Sequence, residues 1–269
     1  MKIGKATVPR TSICTSDEHT IVVRGRDLSK DLIGKVSFVE HFFLLLTGQP
    51  PTAGQAAVLN ATLVAIAEHG LVPSVQAARM TFAAAPDAMQ GAVAAGILGC
   101  GSVVLGSSET AGRMFSEIDA QVQCGVALNT AALAVMQAWR AAGKSIPGYG
   151  HPLHKERDER VGALFDAAKA AGTSLHFIEI AEAVEALMPE VVGKPLKLNV
   201  SGAIPSVLLG AGFPVEALKG VPILARTAGL IAHMYEEMQQ PIGFALSYQA
   251  TREMEYGGEL PAHFGKHDA

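Results

Sequence analysis

Two capping boxes in quick succession, Ser37-Phe38-Val39-Glu40 and Thr52-Ala53-Gly54-Gln55, constrain this chain more than any other feature. In each, a hydroxyl can accept the N–H three residues on while the Glu or Gln side chain reaches back, so a helix starts at a defined residue. Phe42 to Leu46 follow the first box, and Gly48 with Pro50-Pro51 stops it. Ala57, Leu59, Leu63, Ile66 and Ala67 carry an apolar face from the second as far as His69-Gly70. Ser74 is expected to cap a third helix to about Ala85, with Pro86-Asp87 restarting the chain. Further helices are expected over 109–123, 129–142, 158–171, 175–187, 200–209, 218–238 and 243–254, joined by Gly/Pro turns. Residues 1–26 alternate only weakly and read as a short hairpin or irregular arm. With neither a βαβ alternation nor an internal repeat, the fold class is all-α.

Length and charge bound what such a chain does. At 269 residues, 49% hydrophobic and 17% charged, it can bury one large core or two unequal lobes. A net charge of -4 without a Lys/Arg block argues against nucleic-acid and membrane-surface partners and for a small ligand. Met1 to Arg10 has no continuous apolar run of the secretory type, and Cys14, Cys100 and Cys124 form no CxxC pair. Both fit free thiols in the cytoplasm, without a disulfide frame or a zinc site. Residues 90–108 (QGAVAAGILGCGSVVLGSS) carry no charge and are rich in Gly, Ala and Ser. They are short for a bilayer span and are expected to be a buried helix, at the centre of the core or at a subunit interface.

The chemistry concentrates between Gly148 and Arg160. Gly148-Tyr149-Gly150 opens a turn, His151 follows at once, and the charged run Lys155-Glu156-Arg157-Asp158-Glu159-Arg160 leads into a helix. A small anion held beside a proton-transfer group would use such a loop, although a surface turn with a solvated charge run has the same composition. The third glycine, preceding strand and downstream acid of a dinucleotide loop are missing. His151 and His154 lack a third ligand at metal spacing, so no metal is expected.

Five segments, in order, resemble the citrate synthase and citryl-CoA lyase superfamily. Gly148-Tyr149-Gly150-His151 with Asp158 and Arg160 is similar to its glycine–histidine loop. Asp27-Leu28 through Gly48-Gln49-Pro50-Pro51 resembles its N-terminal motif, and Glu68-His69-Gly70 with Ser74, Ala77, Ala78 and Arg79 its second. Leu198-Asn199-Val200-Ser201-Gly202-Ala203-Ile204 and Arg226-Thr227-Ala228-Gly229-Leu230-Ile231-Ala232-His233 resemble the last two. The likeness spans about residues 26–240.

The resemblance implies a large helical domain, 1–107 with 216–269, and a smaller inserted one, 108–215, with the active site in the cleft of a homodimer or higher oligomer. It implies an enzyme that makes or breaks the bond between an acetyl-CoA unit and oxaloacetate or a related 2-oxo acid. Its ligands would be a CoA thioester, as substrate and not as a tightly bound cofactor, and a small di- or tricarboxylate. The length is nearer a compact citryl-CoA lyase than a full citrate synthase. His151 then takes the hydroxyl or carbonyl oxygen, His69 lines the substrate pocket, and Arg160 and Arg226 pair with carboxylates. Arg252 would reach the partner subunit, while Gly148, Tyr149 and Gly150 would let the backbone approach CoA. Taken singly, His69 also suits a helix C-cap, Arg160 the end of a charge run, and Arg226 a buried ion pair.

Two departures qualify the likeness. The synthase histidine falls at Val104 or Leu105, as in lyase-type relatives. The family's catalytic aspartate is Ser201, whose hydroxyl is no carboxylate base near neutral pH without an activating partner. Three outcomes stay open. Glu109 or water could supply the proton, Ser201 could donate a hydrogen bond in an altered acyl-CoA reaction, or the protein could bind CoA esters and carboxylates without turnover.

Overall fold

The computed structural model describes residues 9–101, 105–150 and 157–265. The N-terminal segment folds as a three-stranded antiparallel sheet, β1 (Cys14–Ser16), β2 (Ile21–Val23) and β3 (Arg26–Asp27), in the order β1-β2-β3. A π turn over Leu28–Leu32 leads into helices α1 (Phe38–Thr47), α2 (Ala53–Ala67), α3 (Pro73–Ala84) and α4 (Met89–Leu98). Then come α5 (Ser107–Gln123), α6 (Leu128–Ala141), α7 (Glu159–Ala170), α8 (His176–Val192) and α9 (Val200–Gly210). A 3-10 turn at Val215–Ala217, α10 (Gly220–Gln239) and α11 (Gly243–Glu253) complete the fold, which is mainly helical as expected. Among the described residues no helix is long and apolar enough to cross a membrane.

Both capping boxes close. The Ser37 Oγ accepts Glu40 N–H at 3.3 Å and the Glu40 carboxylate accepts Ser37 N–H at 2.7 Å. Thr52 and Gln55 repeat the exchange at 3.2 and 2.8 Å. Gly48 ends α1 at φ 77°, and Arg24 donates through Nε to the Leu45 carbonyl at 2.9 Å, where a cation suits a helix C-terminus. Ser37→Ala should lower stability by about 1 kcal/mol in chemical denaturation, since it removes one cap and orphans the Glu40 N–H.

Two expectations are corrected. Ser74 does not cap α3: Pro73 occupies the first helical position after Val72, because its fixed φ and absent N–H suit that site, and Ser74 lies buried within the first turn. The stretch 90–108 is not one buried helix. α4 stops at Leu98, only Ala92 and Gly96 along it are buried, Leu98 is 85% exposed, and α5 starts afresh at Ser107. Its small residues still serve close packing, for a Cβ on Gly96 would lie 2.8 Å from both a Leu230 methyl and the Ser74 carbonyl.

Packing divides the chain into two compact units, Met1–Glu68 with Cys100–Arg226, and His69–Gly99 with Thr227–Ala269. The block 108–215 lies wholly within the first. In that unit α9 is the central helix, packed by α2, α5, α7 and α8, and Val200 and Gly202 to Leu208 along it are all buried. A helix apolar on every side has no solvent face to present, which is why it is surrounded. In the second unit α3 packs against α4 and α11, over a core of Val75, Ala78, Phe82, Ala92, Leu230 and Met234.

Candidate active site

Three segments of the first unit meet at the start of α9. Asn199 is its N-cap, its side-chain oxygen accepting Ser201 N–H at 2.9 Å. The same residue ties the helix to the glycine turn: Asn199 N–H donates to the Gly148 carbonyl at 3.0 Å, and its Nδ2 to the Gly150 carbonyl at 2.7 Å. Gly150 N–H donates to the Lys197 carbonyl at 2.7 Å, and Tyr149 bridges Leu198 in antiparallel fashion. The first turns of α5 form the third side, where a Cβ on Gly148 would lie 3.3 Å from that of Ala111.

Gly148 has φ 87°, and a Cβ there would also come within 2.7 Å of the Gly202 Cα. The close backbone approach that requires glycine is therefore made by the chain itself, between two of the segments singled out above. Tyr149 points inward, 8% exposed, with its hydroxyl donating to the Ala181 carbonyl at 2.8 Å. Burial, with the Glu185 carboxylate, pushes its phenol well above the ordinary range and keeps it neutral. The Gly148 and Gly150 carbonyls, the Gly150 amide and the Tyr149 ring are thus bonded within the protein.

Ser201 lies half-buried in the first turn of α9, and Pro205 has no N–H to offer its carbonyl four residues back. Glu109 sits in the first turn of α5, held by Arg113 at 2.8 Å, an i,i+4 pair. Arg160 forms a fork with Asp158, Nε to Oδ1 at 3.0 Å and Nη2 to Oδ2 at 2.7 Å, while Asp158 caps α7 through Arg160 N–H at 3.0 Å. A substrate carboxylate would have to share that guanidinium with Asp158. His151 and His154 lie outside the described residues.

Arg226 differs from both other arginines. It is 3% exposed, on α10, and its Nε and Nη1 are buried without a hydrogen-bond partner among the described residues. A guanidinium is permanently charged, and orphaned donors on a buried cation are rare enough to require a reason. In the second unit, His69 is exposed in the loop after α2, whose C-cap is Glu68, and Arg252 lies over the Tyr248 ring at 5.9 Å in the last turn of α11.

Sequence reasoning missed a cluster beside the glycine turn. Arg157, Glu182, Glu185, Leu196 and Lys197 line a cavity of about 390 Å³. Glu185 accepts Leu198 N–H at 2.7 Å and stands 3.6 Å from Arg157 and 3.7 Å from Lys197. Nothing local marks it, since its members come from three separate segments.

The citrate synthase C-terminal domain family matches residues 23–243. A citrate synthase of Synechocystis sp. is 28% identical over 210 residues, 76% of this chain and 50% of the relative. The chain spans about half the length of the curated citrate synthases it matches. A citryl-CoA lyase structure from Hydrogenobacter thermophilus superposes with TM-score 0.82 at 33% identity, covering 95% of this chain and 96% of that one. An ATP citrate lyase from Methanosaeta concilii, in complex with (3S)-citryl-CoA, shares the fold at TM-score 0.77 and 23% identity, over 97% of this chain and 43% of that one.

Proposed function

From the premise that the chain belongs to the citrate synthase family, we propose that it cleaves the carbon–carbon bond of citryl-CoA or a close relative, releasing acetyl-CoA and a 2-oxo acid. The observation that carries this reading is Arg226, a buried guanidinium whose Nε and Nη1 are unclaimed among the described residues. A planar fork of that kind suits a substrate carboxylate. Arg160, already aligned by Asp158, takes a second carboxylate. Gly148, Tyr149 and Gly150 stay in this reading as the turn beside which CoA binds, and Arg157 and Lys197 of the adjoining cavity, paired there with Glu182 and Glu185, are the cations nearest to it. From the family likeness this reading keeps His69 as a substrate residue and the block 108–215 as the smaller lobe.

Cleavage needs a base for the tertiary hydroxyl, which is the role of His151. The alkoxide electrons form the carbonyl, the C–C bond breaks, and its electron pair becomes the enolate of the acetyl thioester. That carbon then takes a proton. Ser201, at the start of α9, stabilises the enolate oxygen as a hydrogen-bond donor, with water or Glu109 supplying the proton. Arg252 is a substrate-binding arginine in this reading, reaching the site of a second copy of the chain, and the exposed apolar side chains Tyr235, Phe244, Tyr248 and Phe264 of the second unit fit that copy as partner. Free thiols at Cys14 and Cys124 suit the cytoplasm.

Purified protein given citryl-CoA should release acetyl-CoA and oxaloacetate, and Ser201→Asp should raise the rate by about 10²-fold, at the low end of what a general acid–base group contributes. No turnover by either protein would defeat the lyase reading. Ser201, together with the pairing of Glu109 to Arg113, favours one alternative, a protein that binds CoA esters and carboxylates without consuming them. In that case citryl-CoA would raise the melting temperature and be recovered intact.

A further inference from the structure

Arg79, on α3, is 2% exposed and directs every donor group at the end of α10. Its Nε donates to Glu237 Oε2 at 2.6 Å, its Nη1 to Glu236 and toward His233 Nδ1 at 3.3 Å, and its Nη2 to the Gln240 carbonyl at 3.1 Å. Glu237, 4% exposed, is shared. Its other oxygen accepts Ile242 N–H at 2.9 Å and Gly243 N–H at 2.7 Å, the first turn of α11. Ile242, the N-cap of α11, has no side chain able to cap, so a glutamate from the preceding helix does that work. Burial pushes the Glu237 carboxyl up, and the two amides with Arg79 more than offset it, holding it charged. Gly243 completes the closure, since a Cβ there would lie 2.5 Å from the Arg79 carbonyl and 2.6 Å from the Ala83 Cβ.

We infer that Arg79 and Glu237 are positioning residues, a latch that sets α11 against α3 and thereby places Arg252 for substrate. The inference rests on the proposed role of Arg252, yet the latch itself is separately observable. Arg79 belongs to one of the segments that carries the family likeness, and its donors are spent inside the second unit. Its contribution to the reaction therefore runs through α11 and not through contact with a ligand. Glu237→Gln is the sharpest probe, because it keeps the shape and removes the symmetry of the carboxylate. Whichever way the amide turns, its NH₂ faces either Arg79 Nε or the Ile242 and Gly243 amides, donor against donor.

The experiment compares Glu237→Gln, Gly243→Ala, Arg252→Ala and the double variant Glu237→Gln/Arg252→Ala, each as the full chain. Two readouts are taken: hydrogen exchange at residues 242–247, and the KM and kcat for citryl-CoA. Glu237→Gln and Gly243→Ala should speed exchange across the first turn of α11 at least tenfold. Glu237→Gln and Arg252→Ala should each raise KM about tenfold with a smaller change in kcat, and the double variant should be no worse than Arg252→Ala alone. Unchanged exchange in both latch variants would overturn the latch. Additive KM effects in the double variant would overturn its action through Arg252. If Arg252→Ala leaves KM unaltered while exchange rises, the role proposed for Arg252 fails and the latch stands as the anchor of α11 only.

Discussion

Replacing Arg226 with methionine should give a protein that melts higher and binds its ligand worse. The guanidinium is 3% exposed, and its Nε and Nη1 are unmet among the described residues, so hydrogen bonds there do not offset its burial. Exchanging buried ionic groups for apolar ones of similar volume is commonly neutral or stabilising by about 1–4 kcal/mol. In a chain of this size that corresponds to a rise of roughly 2–15 °C. The same change should weaken citrate or citryl-CoA binding by about 10²–10³-fold, the loss of a desolvated charge pair worth roughly 3–4 kcal/mol. Thermal melts without ligand and calorimetric titration with it read the two arms. A fall in melting temperature would mean that the fold itself uses the guanidinium, and the carboxylate assignment would lose its main support.

Gly202→Ala should do the opposite to the fold, and damage binding as well. The new methyl would lie 2.5 Å from a Leu198 methyl and 2.7 Å from the Gly148 carbonyl, which already accepts Asn199 N–H at 3.0 Å. The Leu198 methyl can turn aside, but the Gly148 carbonyl is backbone and has to move. Overpacking of this kind costs about 1–3 kcal/mol, or roughly 2–12 °C in melting temperature. The shift falls on the start of α9, where the glycine turn and Ser201 meet, so ligand affinity should drop with stability. Gly162→Ala is the control. It lies within α7 with nothing within 4 Å of an added Cβ, and there the substitution should stabilise by roughly 0.5–1 kcal/mol. A Gly202→Ala protein with unchanged melting and binding would show that the contact between the glycine turn and α9 is slack.

Some elements were legible because their causes are local. Ser37 with Glu40 and Thr52 with Gln55 start α1 and α2 through side chains three residues from the amides they bond, so the letters suffice. Asp158 and Asn199 start α7 and α9 as single caps, each accepting the amide two residues on. Ser74 misled because Pro73 also starts a helix, and its fixed φ and missing N–H outrank a hydroxyl one position later. The uncharged stretch 90–108 misled for another reason. Absence of charge tells how a segment could pack, while how much of it is covered depends on which neighbours reach it, and only Ala92 and Gly96 along α4 are buried.

The site divides along the same line. By itself the sequence determined an all-α chain, the residues that begin α1 and α2, and the ordered segments that carry the likeness to the citrate synthase family, since each depends on neighbours within a few residues. Only the tertiary structure decided how those segments are used. It turned Gly148 toward Gly202 and closed Tyr149 on Ala181. It aligned Arg160 with Asp158, spent Arg79 on Glu237, and left Arg226 Nε and Nη1 unmatched among the described residues. Whether a buried polar group is satisfied depends on partners that can lie more than 150 positions away, as Glu237 does from Arg79, and no local spacing encodes that distance.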